Sequence, residues 1–359
     1  MPRPDPDPPR PSDEPYDAVV IGAGQSGLAA GYHLRRAGLR FLICEAGDEP
    51  AGSWPNHYDS LRLFSAARYC TLPGLDFPGD PDHLPVRDEV VSYLKRYAAA
   101  HGLPVRPRTR VHAVERDGRG FRVSAPGFTT HADAVIVATG ACSTPYEPPI
   151  PGRDAFRGRV IHSSAYRRPD SVRGPSVVVV GGGNSAVQIA RELADSARVT
   201  LALRSPVRLL PHRVLGRDLH FWLRWSGADR CAFLRGGSMP VIDTGGYTEF
   251  LRSDRLRRRV MFERFTDRGV AWAEGEEPAD TVILATGFRE SFPFLSGLPG
   301  ADAHRRGVSA TVDGLYFVGR PGQNGIASGT MRGAGRDARL IVRRLAARAE
   351  RLGRVHRSK

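Results

Sequence analysis

Two patterns of apolar and polar positions share the chain, and the places where one replaces the other divide it into elements. Short runs at 16–21, 39–44, 133–139, 176–180, 199–203, 280–284 and 314–319 are almost uniformly apolar. Such runs mark strands of a parallel sheet covered on both faces. Two of them pass through a glycine-rich turn into a helical pattern, at 25–37 and 184–193. Another helix is expected over 88–101, with Asp88 as its N-cap and Val90, Val91, Leu94 and Tyr97 on one face. A last helix is expected from about Thr330 onward, its N-terminus free to face a bound ring. Between 105 and 130 shorter β runs, broken at Asp117-Gly118 and Pro126-Gly127, predict a small antiparallel meander.

The sequence strand, glycine turn, helix, strand therefore occurs twice, which predicts an α/β fold with two dinucleotide-binding Rossmann-like domains plus the meander. Prolines from Pro145 to Pro151 mark a boundary. Ala138-Thr139-Gly140 is echoed by Ala285-Thr286-Gly287, as if the chain leaves an inserted domain and re-enters the first. The expected organisation is a disordered leader (1–15), a discontinuous first domain (16–150 and 280–345), an inserted second domain (151–279) and a solvated basic tail (346–359).

The two turns differ in their chemistry. In Gly22-Ala23-Gly24-Gln25-Ser26-Gly27 the first glycine makes the tight turn, the second admits a pyrophosphate and the third lets helix pack on strand. The following strand ends in Glu45, placed to accept ribose hydroxyls. In Gly181-Gly182-Gly183-Asn184-Ser185-Ala186 the third small residue is alanine, and the next strand ends in Arg204 and Ser205 with no acid. A carboxylate would repel a 2′-phosphate and a guanidinium would clamp it. The first site thus suits a cofactor with a free 2′-hydroxyl and the second suits NADPH, the competing reading of Arg204 being a solvated strand-end arginine.

Composition narrows the options. The formal charge of the 359-residue chain is +14, carried by arginines scattered over helices and loops, with Lys95 and Lys359 the only lysines. No helix-turn-helix, finger or RNA-binding motif accompanies that charge, so nucleic acid is not the expected partner. The four cysteines form no Cys-x-x-Cys pair, which removes a zinc ribbon and a redox dithiol, and no metal site is expected. No apolar run reaches the roughly 18 residues of a membrane span, so a soluble, cytoplasmic protein is expected. Residues 209–246, holding Phe221, Trp222, Trp225 and Phe233, suit either a lid over a substrate pocket or core of the second domain. Trp54 suits either core or a place beside a flat ring, and His212 and His220 lack metal-ligand spacing.

Between the turns lies Phe156, Gly158, His162 and Tyr166, in the pattern Phe-x-Gly-x-x-x-His-x-x-x-Tyr. Through these residues the chain resembles the flavin-containing monooxygenase-like (class B flavoprotein monooxygenase) family, compact bacterial type. The resemblance implies FAD on Gly22, Gly24, Gln25, Ser26, Gly27 and Glu45, near Trp54, Thr139, Gly140 and the segment from Gly319. It implies NADPH on Gly181, Gly183, Asn184, Ser185, Ala186, Arg204 and Ser205, near Thr286. His162 and Tyr166 would position an inter-domain hinge, with no side-chain nucleophile. The implied reaction passes hydride from NADPH to flavin, forms a C4a-(hydro)peroxyflavin with dioxygen, and oxygenates a small substrate at amine nitrogen or sulfur. A ketone or α-keto acid is the lesser option. The alternative is a flavoprotein reductase that inserts no oxygen, and a homodimer stays open.

Overall fold

The computed structural model describes residues 14–230 and 240–353; the leader up to residue 13, Phe233 and the tail from residue 354 lie outside the described residues. The first apolar runs do form parallel strands. β1 (Ala18–Ile21) leads into helix α1 (Gln25–Arg36), and β2 (Phe41–Cys44) returns alongside β1. Helix α2 (Arg87–Ala100) follows, then β3 (Val105–Arg106), the antiparallel meander β4 (Ala113–Asp117), β5 (Gly120–Ala125) and β6 (Phe128–Ala132), and β7 (Val135–Val137). β7 lies parallel to β1 on the side away from β2, and Leu315–Phe317 lies parallel to β7. One face of this sheet buries Val20 and Ile43 against α1, α2 and the C-terminal helix Met331–Arg351; the other buries Val19 and Leu42 against the meander. Fully burying each of these aliphatic side chains stabilises the fold by about 1.5–3 kcal/mol, which is why uniform apolar runs sit here.

The chain crosses out of the first sheet along β8 (Thr144–Pro145) and crosses back along Phe288–Arg289, and the two crossings pair antiparallel. Between them lies a second, wholly parallel sheet. It is built from β9 (Arg159–His162), β10 (Ser176–Val180), which leads into α3 (Asn184–Leu193), β11 (Arg198–Leu203), and the strands Leu256–Val260 and Thr281–Leu284. Its order is Leu256–Val260, β11, β10, Thr281–Leu284, β9.

Several expectations change in detail. The run at 280–284, expected to begin the return to the first sheet, is instead the strand Thr281–Leu284 of the second, between β10 and β9. The return follows Gly287, where the chain pairs with β8. The stretch from Phe156 to Tyr166, expected as a hinge, carries the edge strand β9, held in register by Thr281–Leu284. Val105–Arg106 joins the parallel sheet beside β2 and is not part of the meander. The N-cap of α2 is Val86, whose amide donates to the Glu89 carboxylate at 2.8 Å, while Asp88 lies in the first turn. The expected tail begins later too: the C-terminal helix runs to Arg351, burying Leu345 and Ala349 and pairing Arg348 with Asp313. Among the described residues no helix is long and apolar enough to cross a membrane.

Candidate active site

Backbone geometry explains why the first turn needs its glycines. Gly22 has φ 102°, and a Cβ there would lie 2.8 Å from the Ala138 carbonyl oxygen. A Cβ on Gly27 would come within 1.8 Å of the Gly22 carbonyl oxygen, so that glycine is what lets α1 sit on β1. Gly24 is different. A Cβ there would come no nearer than 3.8 Å to its closest neighbour, the Gly52 Cα, so glycine leaves space in front of the first amides of α1. Free amides at a helix N-terminus attract phosphate oxygens.

The side chains around this cradle are fixed. Glu45 is 5% exposed at the end of β2, and its carboxylate accepts the Ala23 amide at 2.6 Å and the Gly47 amide at 2.8 Å. Trp54 Nε1 donates to Gln25 Oε1 at 2.8 Å, placing the indole over the start of α1. Ser26 is buried under Gly319, whose φ of 90° brings the 319–330 segment onto the first turn of α1. Thr139 Oγ1 is buried without a hydrogen-bond partner and Gly140 takes φ 73°. An open cradle, an anchored acid and an orphaned hydroxyl fit a dinucleotide with a free ribose.

The second turn repeats the design, with Gly182 and Asn184 in place of Ala23 and Gln25 and Ala186 in place of Gly27. Gly181 has φ 132°, and a Cβ there would lie 2.3 Å from the Ala285 carbonyl oxygen; a Cβ on Gly183 would meet nothing within 4 Å. Asn184 Oδ1 is buried without a partner, Ser185 is half-buried beside the Tyr58 hydroxyl, and Ala186 is fully buried against the sheet. Arg204 and Ser205 are exposed at the end of β11. Arg204 borders a cavity of about 210 Å³ lined also by Tyr146, Ile150, Met261 and Thr286. Among the described residues Arg204 has no ion pair, whereas Arg259 on the neighbouring strand is held by Glu274 and Glu277. A guanidinium left unpaired at the lip of a cavity fits a phosphate. Thr286 hydroxyl donates to the Tyr146 carbonyl, tying the two crossing segments together.

His162 and Tyr166 prove to be clamps. His162 Nε2 donates to the Gly287 carbonyl at 2.9 Å while Nδ1 accepts the Ser164 amide at 3.1 Å. Burial lowers its pKa despite the Gly287 contact, so the ring is neutral at pH 7. Tyr166 is fully buried and donates to Glu192 Oε2 at 2.7 Å, binding the end of β9 to α3. Phe156 packs over Gly158, where a Cβ would come within 2.2 Å of the ring. All four signature residues therefore hold the edge of the second domain against its neighbours, and none of these contacts reaches either cradle.

What joins the two turns is a strap in which the sequence assigns a role to Trp54 but none to His57 or Tyr58. Trp54 reaches Gln25; Tyr58 donates to Gln188 Oε1 in α3 at 2.9 Å; Arg167 and Arg87 both donate to the His57 carbonyl, at 2.9 and 2.8 Å. Burial, with Arg167 and Arg87 close by, lowers the His57 pKa to about 4. The spacing of Trp54 and Tyr58 on either side of a proline is the available signal. The insert after Arg204 also leans on the first domain. His220, 1% exposed, lies against Phe64 and Tyr69, and both it and His212 bind Asp218. Asp229 pairs with Arg332 at 2.8 Å. Through these contacts the described part of 209–246 touches the first domain, while Leu209–Pro211 pairs with Val241–Asp243 inside the second. Among the described residues no group of histidine, cysteine and acidic side chains could hold a metal.

Comparison with known proteins agrees with this geometry. Residues 19–235 match the family model described as pyridine nucleotide-disulphide oxidoreductase. An uncharacterized oxidoreductase, CzcO-like, of Geobacillus kaustophilus is 31% identical over 91% of this chain and 97% of its own. Indole-3-pyruvate monooxygenase YUCCA1 of Oryza sativa subsp. japonica is 30% identical over 84% of this chain and 86% of its own. The solved flavin-containing monooxygenase from Stenotrophomonas maltophilia superposes with a TM-score of 0.82 at 33% identity, covering 94% of this chain and 99% of that one.

Proposed function

Since the chain belongs to the pyridine nucleotide-disulphide oxidoreductase family, and within it to the FAD- and NADPH-dependent flavin monooxygenases, we propose that it oxygenates a small organic substrate at an amine nitrogen or a sulfur. The observation that carries this reading is the pair of open cradles, at Gly24 and Gly183, linked by one strap from Gln25 to Gln188. When bound, the cofactors supply hydride from NADPH, a flavin to take it, and activation of dioxygen for transfer of one oxygen atom. The protein's own residues bind, orient and exclude water. The turn at Gly22, Gly24 and Gly27, with Glu45, would hold FAD, and the turn at Gly181 and Gly183, with Asn184 and Arg204, would hold NADPH. His162 keeps the return crossing at Gly287 in place, and the lid held by Asp218 and Asp229 would cover the substrate.

One observation favours a second substrate class. Arg332 is partly buried beneath Asp229 at the start of the C-terminal helix, its buried Nε without a partner, and Asp229 is the carboxylate that meets it. A carboxylate-bearing substrate such as an α-keto acid could take that place. Cys44, Cys70 and Cys142 are free, and among the described residues no dithiol stands ready to receive electrons, which disfavours a disulfide reductase; a reductase that passes electrons from flavin to an outside acceptor needs no dithiol and is the alternative to test. Burial raises the Cys44 and Cys70 thiols to about 12 and about 11, away from nucleophilic chemistry.

The deciding measurement is turnover of an amine, sulfide and α-keto acid panel under labelled dioxygen. Product carrying one labelled atom, in proportion to NADPH consumed, is expected. Full NADPH oxidation with rapid reduction of an artificial acceptor, and no label in any product, would mean that the protein is a reductase.

Arg204→Ala gives a narrower check. Loss of a charge-assisted clamp should raise KM for NADPH by about 10- to 100-fold and leave KM for NADH nearly unchanged. Equal effects on the two nucleotides would remove Arg204 from the 2′-phosphate.

A further inference from the structure

We propose a second small-molecule site, for an amphipathic anion, in the groove between the last turn of α1 and the middle of the C-terminal helix. The groove has a volume of about 400 Å³, a floor that includes Pro73, Val342 and Ala346, and a rim of Arg36, Arg339 and Arg343. It lies at the opposite end of α1 from the Gly22 turn, roughly 18 Å away for a twelve-residue helix at 1.5 Å per residue, so it is not part of the cofactor cradles.

The positive charge of this groove is not balanced by its own lining. Its lining contains no carboxylate, and among the described residues none of the three rim arginines forms an ion pair. On the same helix Arg332 and Arg348 are neutralised, by Asp229 and Asp313. Arg339 and Arg343 stand four residues apart, hence on one helix face, where like charges repel. The wall residue His33 is close to the Gly335 carbonyl oxygen at 3.2 Å, and the charged groups acting on it are Arg339, Arg36 and Arg343, with no acid to balance them. Burial, with those arginines, lowers its pKa and keeps the ring uncharged, so it adds wall and no further charge.

An apolar floor under three guanidinium groups selects a ligand with an alkyl or aryl body and a phosphate or carboxylate head. The volume falls within the roughly 300–1,000 Å³ of small-molecule pockets. A second copy of this chain is a poor occupant, because it would set one positive rim against another. The head group could belong to a free amphiphile or to an anionic lipid, and the experiment separates the two.

The FAD-loaded enzyme, saturated with NADP⁺ so that the anion site at Arg204 is filled, is titrated calorimetrically with decyl phosphate below its micelle concentration. Binding is expected at one site, with decanol and inorganic phosphate each binding far more weakly. The exposed double variant R339Q/R343Q should fold normally and weaken decyl phosphate by about tenfold or more. Ala346→Trp, filling the floor, should remove binding. In a parallel arm, phosphatidylglycerol vesicles that bind with the same dependence on Arg339 and Arg343 would extend the site to lipid head groups. Vesicle binding without binding of free decyl phosphate overturns the proposal, as does decyl phosphate binding that both variants leave unchanged.

Discussion

Gly183→Leu is expected to give a folded, yellow protein that NADPH can no longer reduce. Gly183 has φ −91° and ψ −177°, a conformation open to any L-residue, and a Cβ there would meet nothing within 4 Å. The fold therefore has no need of glycine at this position, and the melting temperature should stay close to that of the parent. What the missing side chain leaves free is the space in front of the first amides of α3, where the pyrophosphate of NADPH would lie. Filling it should lower kcat/KM for NADPH by about a thousandfold or more, read as the rate of flavin bleaching under anaerobic mixing. Gly181→Leu is the contrasting control. There φ is 132° and a Cβ would lie 2.3 Å from the Ala285 carbonyl oxygen, so loss of the fold itself is expected. Normal bleaching by Gly183→Leu would remove the second turn from nucleotide binding.

The contrast between those two glycines also separates what the sequence can reveal from what it cannot. Turn glycines, apolar strand runs and strand-end residues such as Glu45 and Arg204 obey local rules of sterics and hydration, so their places are legible. The strand Thr281–Leu284 escapes those rules because its composition is that of any strand covered on both faces; which sheet it enters depends on β10 and β9, more than a hundred residues earlier. The stretch around His162 looks like a hinge for the same reason, since pairing of β9 with Thr281–Leu284 leaves no trace in either segment alone. Tyr58 with Gln188, Asp229 with Arg332 and His220 with Phe64 are side-chain pairs far apart in sequence. Each partner alone is an ordinary residue, and only the fold brings them together.

The division of roles between clamp and cradle has a consequence for how the family signature should be probed. His162 spends both ring nitrogens on backbone or neighbouring groups, and Tyr166 spends its hydroxyl on Glu192. A His162 variant would loosen the return crossing at Gly287 and a Tyr166 variant the packing of α3, so neither would report on one cofactor alone. Groups that face open space report on one cofactor at a time.

Glu45 is such a group on the FAD side, and Glu45→Ala is expected to purify largely without flavin. The carboxylate is 5% exposed and accepts two amides, from Ala23 within the turn and from Gly47 beyond β2. Removing it strands the buried Ala23 amide, costing about 1–3 kcal/mol, leaves the exposed Gly47 amide to water, and deletes the acceptor that ribose hydroxyls would use. FAD affinity should fall by about 100- to 1,000-fold, measured by fluorescence titration of the apoprotein, with a lower melting temperature. Glu45→Gln sharpens the test. Its amide oxygen can still accept one of the two amides, but its NH₂ group then faces the other donor, so one contact is lost and the negative charge with it. The glutamine variant should therefore lie between alanine and the parent in FAD affinity while keeping more of the stability. Full flavin content in Glu45→Ala would mean that Glu45 serves only to lace the turn to β2, and the ribose would have to be held elsewhere.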